Sequence, residues 1–500
     1  MPQPPPPTPV PLARRVPWAL VPLALALLYA GVHAFVGRRP TLEAMVPEDA
    51  FVVWRYRDLE AYDLANAAPA AAGPTHPASE VLGVELNVPG LPGVARDRTV
   101  VEATMWREAL TDARFFVLPV QDGGALARRF ADPDLPERHA RHLEVMGPWA
   151  AAGADRRAVR AAGHGAGPLP PLEEGALWTA SADWGKLVEH ALRAALTGAQ
   201  PYADAVLALG ARFPTRRPTA APGAFETTAE GGRVPFVHDA WTRVTVTAWP
   251  DRVRATLVPA AASELTPLLA RLAVADPAAS PAAPAAPDDA EAWLSMRGPE
   301  ARKATALALW YAGLAWPEPA LRDGFAALHL DAPGSLTLVA MPSPGLLPTW
   351  TILLAGERGA VPDLAAFGLP APADEGVVDL PASVGRLFHP FGPVAGRGEV
   401  LRRPLPGAAR DRVVVGAGPG AETIVARATA SMPDAAPSSK GTIAVGGLKA
   451  TAARRVLGRA VERGGLFGTL TDADLAVSLS TDGAALVLDV RRADASARPK

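Results

Sequence analysis

The chain is written in short stretches of two periods. Near its end Leu475, Val477 and Leu479 alternate with Ala476, Ser478 and Ser480, and after Asp482-Gly483 the alternation resumes at Leu486, Leu488 and Val490. A period of two marks a half-buried strand and Asp-Gly favours a tight turn, so a β-hairpin is predicted there. Upstream, Ala453, Val456, Leu457, Ala460 and Val461 recur at helical spacing within 450–463, after a short apolar strand at 442–445. The same order of strand, helix and hairpin is read at 176–180, 182–196 and the run WTRVTVTAW, Pro250-Asp251, RVRATLV. It is read again at 292–296, 301–314, 335–341 and 349–354. Two openings also match: Pro47-Glu48-Asp49-Ala50 leads into apolar 51–55, and Pro287-Asp288-Asp289-Ala290 leads into 291–297. A further match sets Leu143-Glu144-Val145-Met146-Gly147, with a helix near 154–161, beside Val413-Val414-Val415-Gly416, with a helix near 421–430.

Units of this kind build layers in which helices cover one face of an antiparallel or mixed sheet. The predicted fold class is α+β: one N-terminal transmembrane helix followed by two related lobes built from strand–helix–hairpin units, with antiparallel or mixed sheets. The run ADPAASPAAPAAP at 275–287 cannot pack a core and reads as a semi-rigid linker. It divides the lobes into 39–274 and 288–500. The irregular spacing of the units excludes a solenoid of fixed period.

Residues 16–36, VPWALVPLALALLYAGVHAFV, hold no formal charge and are flanked by Arg14, Arg15, Arg38 and Arg39. As a helix this run is about 31 Å long, enough for a bilayer core of about 30 Å. A transmembrane anchor is therefore expected, carried by Val16, Leu25, Leu28 and Val36, with Trp18 at the interface. The rival reading is a cleaved signal peptide, for which Val32-His33-Ala34 supplies small residues but the apolar run is long. The arginine pairs balance and do not choose an orientation, yet a long following domain is translocated regardless of its charge. The expectation is a single-pass protein of the inner membrane with a Pro-rich cytoplasmic tail at 1–15 and the bulk of the chain extracytoplasmic. The lipid bilayer is then one partner, and an envelope protein or polymer is the other candidate.

Lys and Arg number 49 against 51 for Asp and Glu, so no net field attracts nucleic acid and none is expected as a partner. The absence of cysteine excludes disulfides, Cys-ligated metal centres, thiol catalysis and a lipid-modified cysteine. Packing alone must hold the fold.

The Pro-rich stub, the N-terminal span and the opening Val46, Pro47, Asp49, Ala50 into an apolar strand resemble a family of uncharacterised, membrane-anchored bacterial envelope proteins. The resemblance implies an extracytoplasmic α+β protein and brings no catalytic residues with it.

Candidate chemistry is sparse. In VVVGAGPGAE, Gly416, Gly418 and Ala421 satisfy the dinucleotide spacing Gly-x-Gly-x-x-Gly/Ala between an apparent strand and helix. Asp434 falls in a Pro-rich loop instead of at the end of the next strand, so a tight strand-to-helix turn is the plainer reading and no cofactor is expected. Gly441 and Gly446 have P-loop spacing, but Gly447-Leu448-Lys449 lacks the Gly-Lys-Ser/Thr junction. His139 and His142, near Glu137 and Glu144, are weak metal-ligand candidates if PERHARHLE is helical, and Arg138 and Arg141 disfavour a cation there. Arg455, Arg459 and Arg463 form one helical stripe, which is a solvated face or a contact to anionic polymer. Trp241, Arg243, Thr245, Thr247 and Trp249 share one parity and are predicted to form a row on one strand face. The resulting expectation is non-catalytic binding or scaffolding in the cell envelope. The alternatives are an envelope hydrolase with dispersed residues and a nucleotide-binding protein using the Gly416 turn.

Overall fold

In the computed structural model the described residues are 40–66, 81–106, 112–132, 142–186, 227–229, 232–234, 241–276, 283–312, 334–343, 350–361, 375–380, 396–404, 412–432, 439–453 and 470–493, apart from single positions within them. The first half of the chain supplies β1 (Val52–Tyr56), β2 (Val100–Trp106), β3 (Asp112–Pro119), β4 (His142–Met146), β5 (Trp149–Gly153), β6 (Trp178–Asp183), β9 (Trp241–Ala248) and β10 (Arg252–Pro259). A small separate ribbon joins β7 (Thr227–Ala229) to β8 (Gly232–Val234). The second half supplies β11 (Ala292–Met296), β12 (Leu336–Pro342), β13 (Trp350–Glu357), β14 (Glu375–Leu380), β15 (Gly396–Pro404), β16 (Arg412–Gly418), β17 (Thr442–Leu448), β18 (Leu475–Thr481) and β19 (Leu486–Arg492).

Apart from the ribbon, these strands form one 17-stranded sheet in which every pairing is antiparallel. Following the hydrogen-bonded neighbours from one end to the other gives β4-β5-β3-β2-β1-β6-β9-β10, then β19-β18-β17-β11-β12-β13-β16-β15-β14. The expected fold class, two α+β lobes behind a transmembrane helix, is therefore corrected. The sheet runs unbroken from one half into the other because β10 pairs with β19 along six residues, Arg252 to Leu257 against Arg491 to Leu486.

The neighbour order is the same in both halves when read outward from this junction, so β1 corresponds to β11, β6 to β17, and the hairpin β9–β10 to β18–β19. Backbone bonds repeat with it. Ala50 N donates to Pro47 O (3.2 Å) as Ala290 N does to Pro287 O (3.0 Å), and Phe51 N donates to Thr104 O as Glu291 N does to Ala340 O, both at 2.9 Å. Asp183 N then donates to Phe51 O (2.9 Å), and Lys449 N to Glu291 O (2.7 Å). Matched strands β10 and β19 meet antiparallel, which is the geometry of an approximate two-fold axis between them.

Helices α1 (Leu59–Asn66), α2 (Val81–Glu85) and α3 (Gly123–Phe130) accompany the first half, and α5 (Leu265–Val274) and α6 (Gly298–Ala312) the second. They lie on one face of the sheet. Leu59, Tyr62, Leu82 and Leu126 pack there with Tyr56, Phe116, Trp178 and Ala180, and Leu265, Leu268, Leu269 and Ala304 with Met296, Leu336, Val415 and Leu479. On the other face, α4 (Arg156–Ala161) covers Val53, Val101, Phe115 and Val117, while α7 (Ala421–Thr429) covers Val339, Leu353, Ala355 and Val414. Each fully buried side chain of Leu or Phe size contributes about 1.5–3 kcal/mol against exposure, so these layers are the main source of stability in a chain without cross-links.

Among the described residues no helix is long and apolar enough to cross a membrane. The expectation of a single-pass protein anchored in the inner membrane is corrected on that finding, and the extracytoplasmic placement that rested on the anchor goes with it. The run 16–36 itself, with Val16, Trp18, Leu25, Leu28 and Val36, lies outside the described residues.

Candidate functional site

Between α4 and α7 the second face of the sheet is polar over five neighbouring strands. Strand parity dictates this: Trp178, Ala180, Val246, Ala248, Val253 and Leu488 point toward the helix-covered face, so their chain neighbours point away. The registers set Ser181 beside Thr245, Thr245 beside Thr256, Thr256 beside Val487, and Val487 beside Ser480. A parallel row reads Thr179, Thr247, Arg254, Asp489, Ser478. At a strand spacing of about 4.8 Å each row is about 19 Å long and crosses the junction of the halves.

The second row is tied together. Thr179 Oγ1 donates to Thr247 Oγ1 at 3.2 Å, and Arg254 Nε meets Asp489 Oδ2 at 3.3 Å. Arg254 also reaches Glu173 (3.4 Å), and Trp249 Nε1 donates to Glu174 O (3.1 Å). The connection from α4 to β6 thus runs along this margin, where Arg55 Nη1 also donates to Pro170 O (3.3 Å). Thr179 and Thr247 are buried, whereas Ser181, Thr245, Thr256, Val487, Ser478 and Ser480 keep partial exposure. Arg252 stacks on the Trp249 ring at 3.9 Å from its centroid and stands directly opposite Arg491.

The predicted row of five is changed by one residue. Opposite Val258 and Pro259 the register slips, so that Val258 faces Arg243 and Pro259 faces Trp241, with Thr242 as the extra residue of a bulge. Trp241 is thereby turned to the other face and buried with Leu265 and Leu268, leaving Arg243, Thr245 and Thr247 on the polar face with Trp249 stacked against Arg252 and Arg254 at its margin.

A second polar cluster lies under α1. Tyr56 Oη donates to Glu102 Oε2 at 3.2 Å, Arg114 Nε pairs with Glu102 Oε1, and Arg114 Nη2 donates to Tyr62 Oη at 3.5 Å. Burial first, then the Glu102 charge, holds the Tyr56 pKa well above its ordinary value. Tyr56 is therefore a fixed donor rather than a phenolate nucleophile, and Glu102 is occupied by Arg114. The arrangement secures the core and offers no free base. Nearby, buried Asp63 accepts from Leu82 N (3.3 Å), and burial lifts its pKa to about 6.

Gly416 and Gly418 lie within β16, and Ala421 opens α7. β16 is antiparallel to both β13 and β15, whereas a dinucleotide turn sits at the carboxyl edge of parallel strands. Gly416 has a packing reason: a Cβ there would collide with Val425 Cγ2, so glycine lets α7 lie close on the sheet. His142 opens strand β4, not a helix, and His139, Glu137, Arg455, Arg459 and Arg463 lie outside the described residues. No group of three or more metal-ligating side chains occurs among the described residues. Sequence reading missed the hydroxyl row, because it is made by five strands from both halves. Local alternation links only positions two apart on one strand, Thr179 with Ser181, Thr245 with Thr247 and Ser478 with Ser480, and not the members of a row.

Compared with protein families, with characterised proteins and with solved structures, the chain matches none.

Proposed function

We propose that this chain is a non-catalytic binding or scaffolding protein that presents the polar central face of its sheet to a protein or polymer partner. The observation that supports this reading is the hydroxyl row Ser181, Thr245, Thr256, Ser480, broken only by Val487 and shared by both halves. An extended, pre-formed row of hydrogen-bonding groups on paired strands costs little ordering on binding, which favours a partner with a long, regular polar surface. The test is binding of the immobilised full chain to a panel of neutral and acidic polysaccharides and of extended polypeptides. Thr245→Lys with Thr256→Lys is expected to weaken any partner found by about tenfold or more, with an unchanged melting temperature. Turnover of chromogenic ester, amide or glycoside substrates by the same preparation would instead favour a hydrolase.

A further inference from the structure

Beyond the two hydroxyl-bearing rows the polar face has a third. Trp249 N donates to Arg252 O at 2.8 Å, and the registers then set Arg252 beside Arg491, Arg491 beside Ala476, Ala476 beside Gly447, and Gly447 beside Trp293. At a strand spacing of about 4.8 Å this row is about 24 Å long. It is aromatic at both ends, cationic next to Trp249, and low next to Trp293, where the side chains are small.

The two arginines stand where like charges repel. Arg492 N donates to Asp251 O at 3.0 Å, so the following pair, Arg252 with Arg491, is a non-hydrogen-bonded pair of the ladder, in which facing side chains come closest. Like charges directly opposite destabilise paired strands. Asp489, on the same face, and Glu173 both pair with Arg254, and neither Arg252 nor Arg491 forms an ion pair with a described residue. Arg491 is exposed and Arg252 partly so. Arg252 is also held in place: its guanidinium lies 3.9 Å from the centroid of the Trp249 ring, whose Nε1 is anchored on Glu174 O. A guanidinium laid on an aromatic ring presents its fork of N–H groups in a set direction and loses less freedom on binding. At the other end Trp293 keeps partial exposure, and a Cβ at Gly447 would collide with its indole, so the ring lies down on the sheet.

We propose that this row binds an acidic polysaccharide, with Arg252 and Arg491 sharing one carboxylate or sulfate group of the polymer and Trp293 lying under a sugar ring. The inference rests on the polar face being a binding surface, and it adds the partner's charge and class. Two adjacent guanidiniums suit an anion with two or three acceptor oxygens, which would also relieve their mutual repulsion. The sheet itself favours a sugar polymer over an extended polypeptide. β10, β19, β18, β17 and β11 are each bonded on both sides, so no main-chain groups are left for strand addition. Recognition falls to side chains, and the neighbouring rows offer hydroxyls to hydroxyls.

The experiment is binding of the immobilised full chain, kept in nonionic detergent, to polygalacturonate, dextran sulfate, polyglutamate and the methyl ester of polygalacturonate, which keeps the sugar hydroxyls and loses the charge. Polygalacturonate or dextran sulfate is expected to bind, the better of the two naming the anionic group, and the ester about tenfold or more weaker. Arg252→Gln and Arg491→Gln should each weaken the acidic polymer by about tenfold or more, and Arg252→Lys should recover only part of that loss. Arg128→Gln, on α3 across the sheet, should leave binding unchanged, and the melting temperature of Arg491→Gln should not fall. Equal binding of acid and ester, or an equal loss with Arg128→Gln, overturns the proposal. Tighter binding of polyglutamate also overturns it and assigns the arginine pair to an acidic polypeptide. Ester binding that Thr245→Lys with Thr256→Lys abolishes, where the added charge has no counterpart, and that both arginine variants keep would overturn this inference alone. A chain that binds none of the polymers or polypeptides overturns the binding reading of the face with it.

Discussion

Asp63 carries its carboxyl where water does not reach, so its ionisation and the stability of the fold are linked. Its folded pKa of about 6 lies above the ordinary 3.8. The neutral form is favoured by folding, and that contribution is complete below the unfolded value and lost as pH rises through the folded one. Relative to Asp63→Asn, the wild type is expected to lose about 1–3 kcal/mol between about pH 4 and pH 8, measured as diverging urea midpoints; parallel curves would show that Asp63 is not buried as described. At Gly416 the expectation is steric. Gly416→Ala should cost about 1–3 kcal/mol, and Val425→Ala in the same chain should recover part of it. A loss that Val425→Ala leaves unchanged would place the cost elsewhere than in the approach of α7. Gly416 also shows the limit of motif reading. Its spacing is that of a phosphate-binding turn, yet the neighbour that requires glycine is Val425, nine positions on and one packing layer away.

At the scale of elements, alternation made the hairpins β9–β10 and β18–β19 legible, since a half-buried strand writes its two faces directly into the chain. What alternation could not show was the Thr242 bulge, which reverses Trp241 and is marked only by Pro259 on the facing strand. Nor could it place His142, which opens strand β4. The openings Pro47–Ala50 and Pro287–Ala290 were more informative, because the turn each forms delivers the next residue, Phe51 or Glu291, into the same pair of ladder bonds. The buried Thr179–Thr247 contact gives a test at this level. Either Thr→Val substitution alone leaves a buried hydroxyl unpaired and should cost about 1–3 kcal/mol, while the double substitution should cost less than the two singles together. A thermodynamic cycle that is simply additive would remove the bond from the account of how β6 and β9 are held.

For the whole molecule, the decisive pairing is the one local patterns do not record. Helix and hairpin units implied separate lobes around a Pro/Ala linker, and only the register of β10 on β19, joining residues more than two hundred positions apart, merges them. Cleavage at a protease site engineered within 277–282 is therefore expected to leave the two halves together on gel filtration without denaturant. Separation into two species would mean that β10 and β19 contribute little. Thermal unfolding of the intact chain should likewise follow one cooperative transition through both halves.

The antiparallel meeting of β10 with β19 bears on symmetry as well as on stability. Ala255 and Leu488 face each other in the register, with the matched hairpins β9–β10 and β18–β19 arranged about them. A single half, made as its own polypeptide, would offer β10 as an edge suited to a second β10, and two such polypeptides would reproduce the junction seen here. The present chain thus has the internal symmetry of a homodimer within one polypeptide, and its two halves differ at their outer ends, where one forms α3 and the other β14.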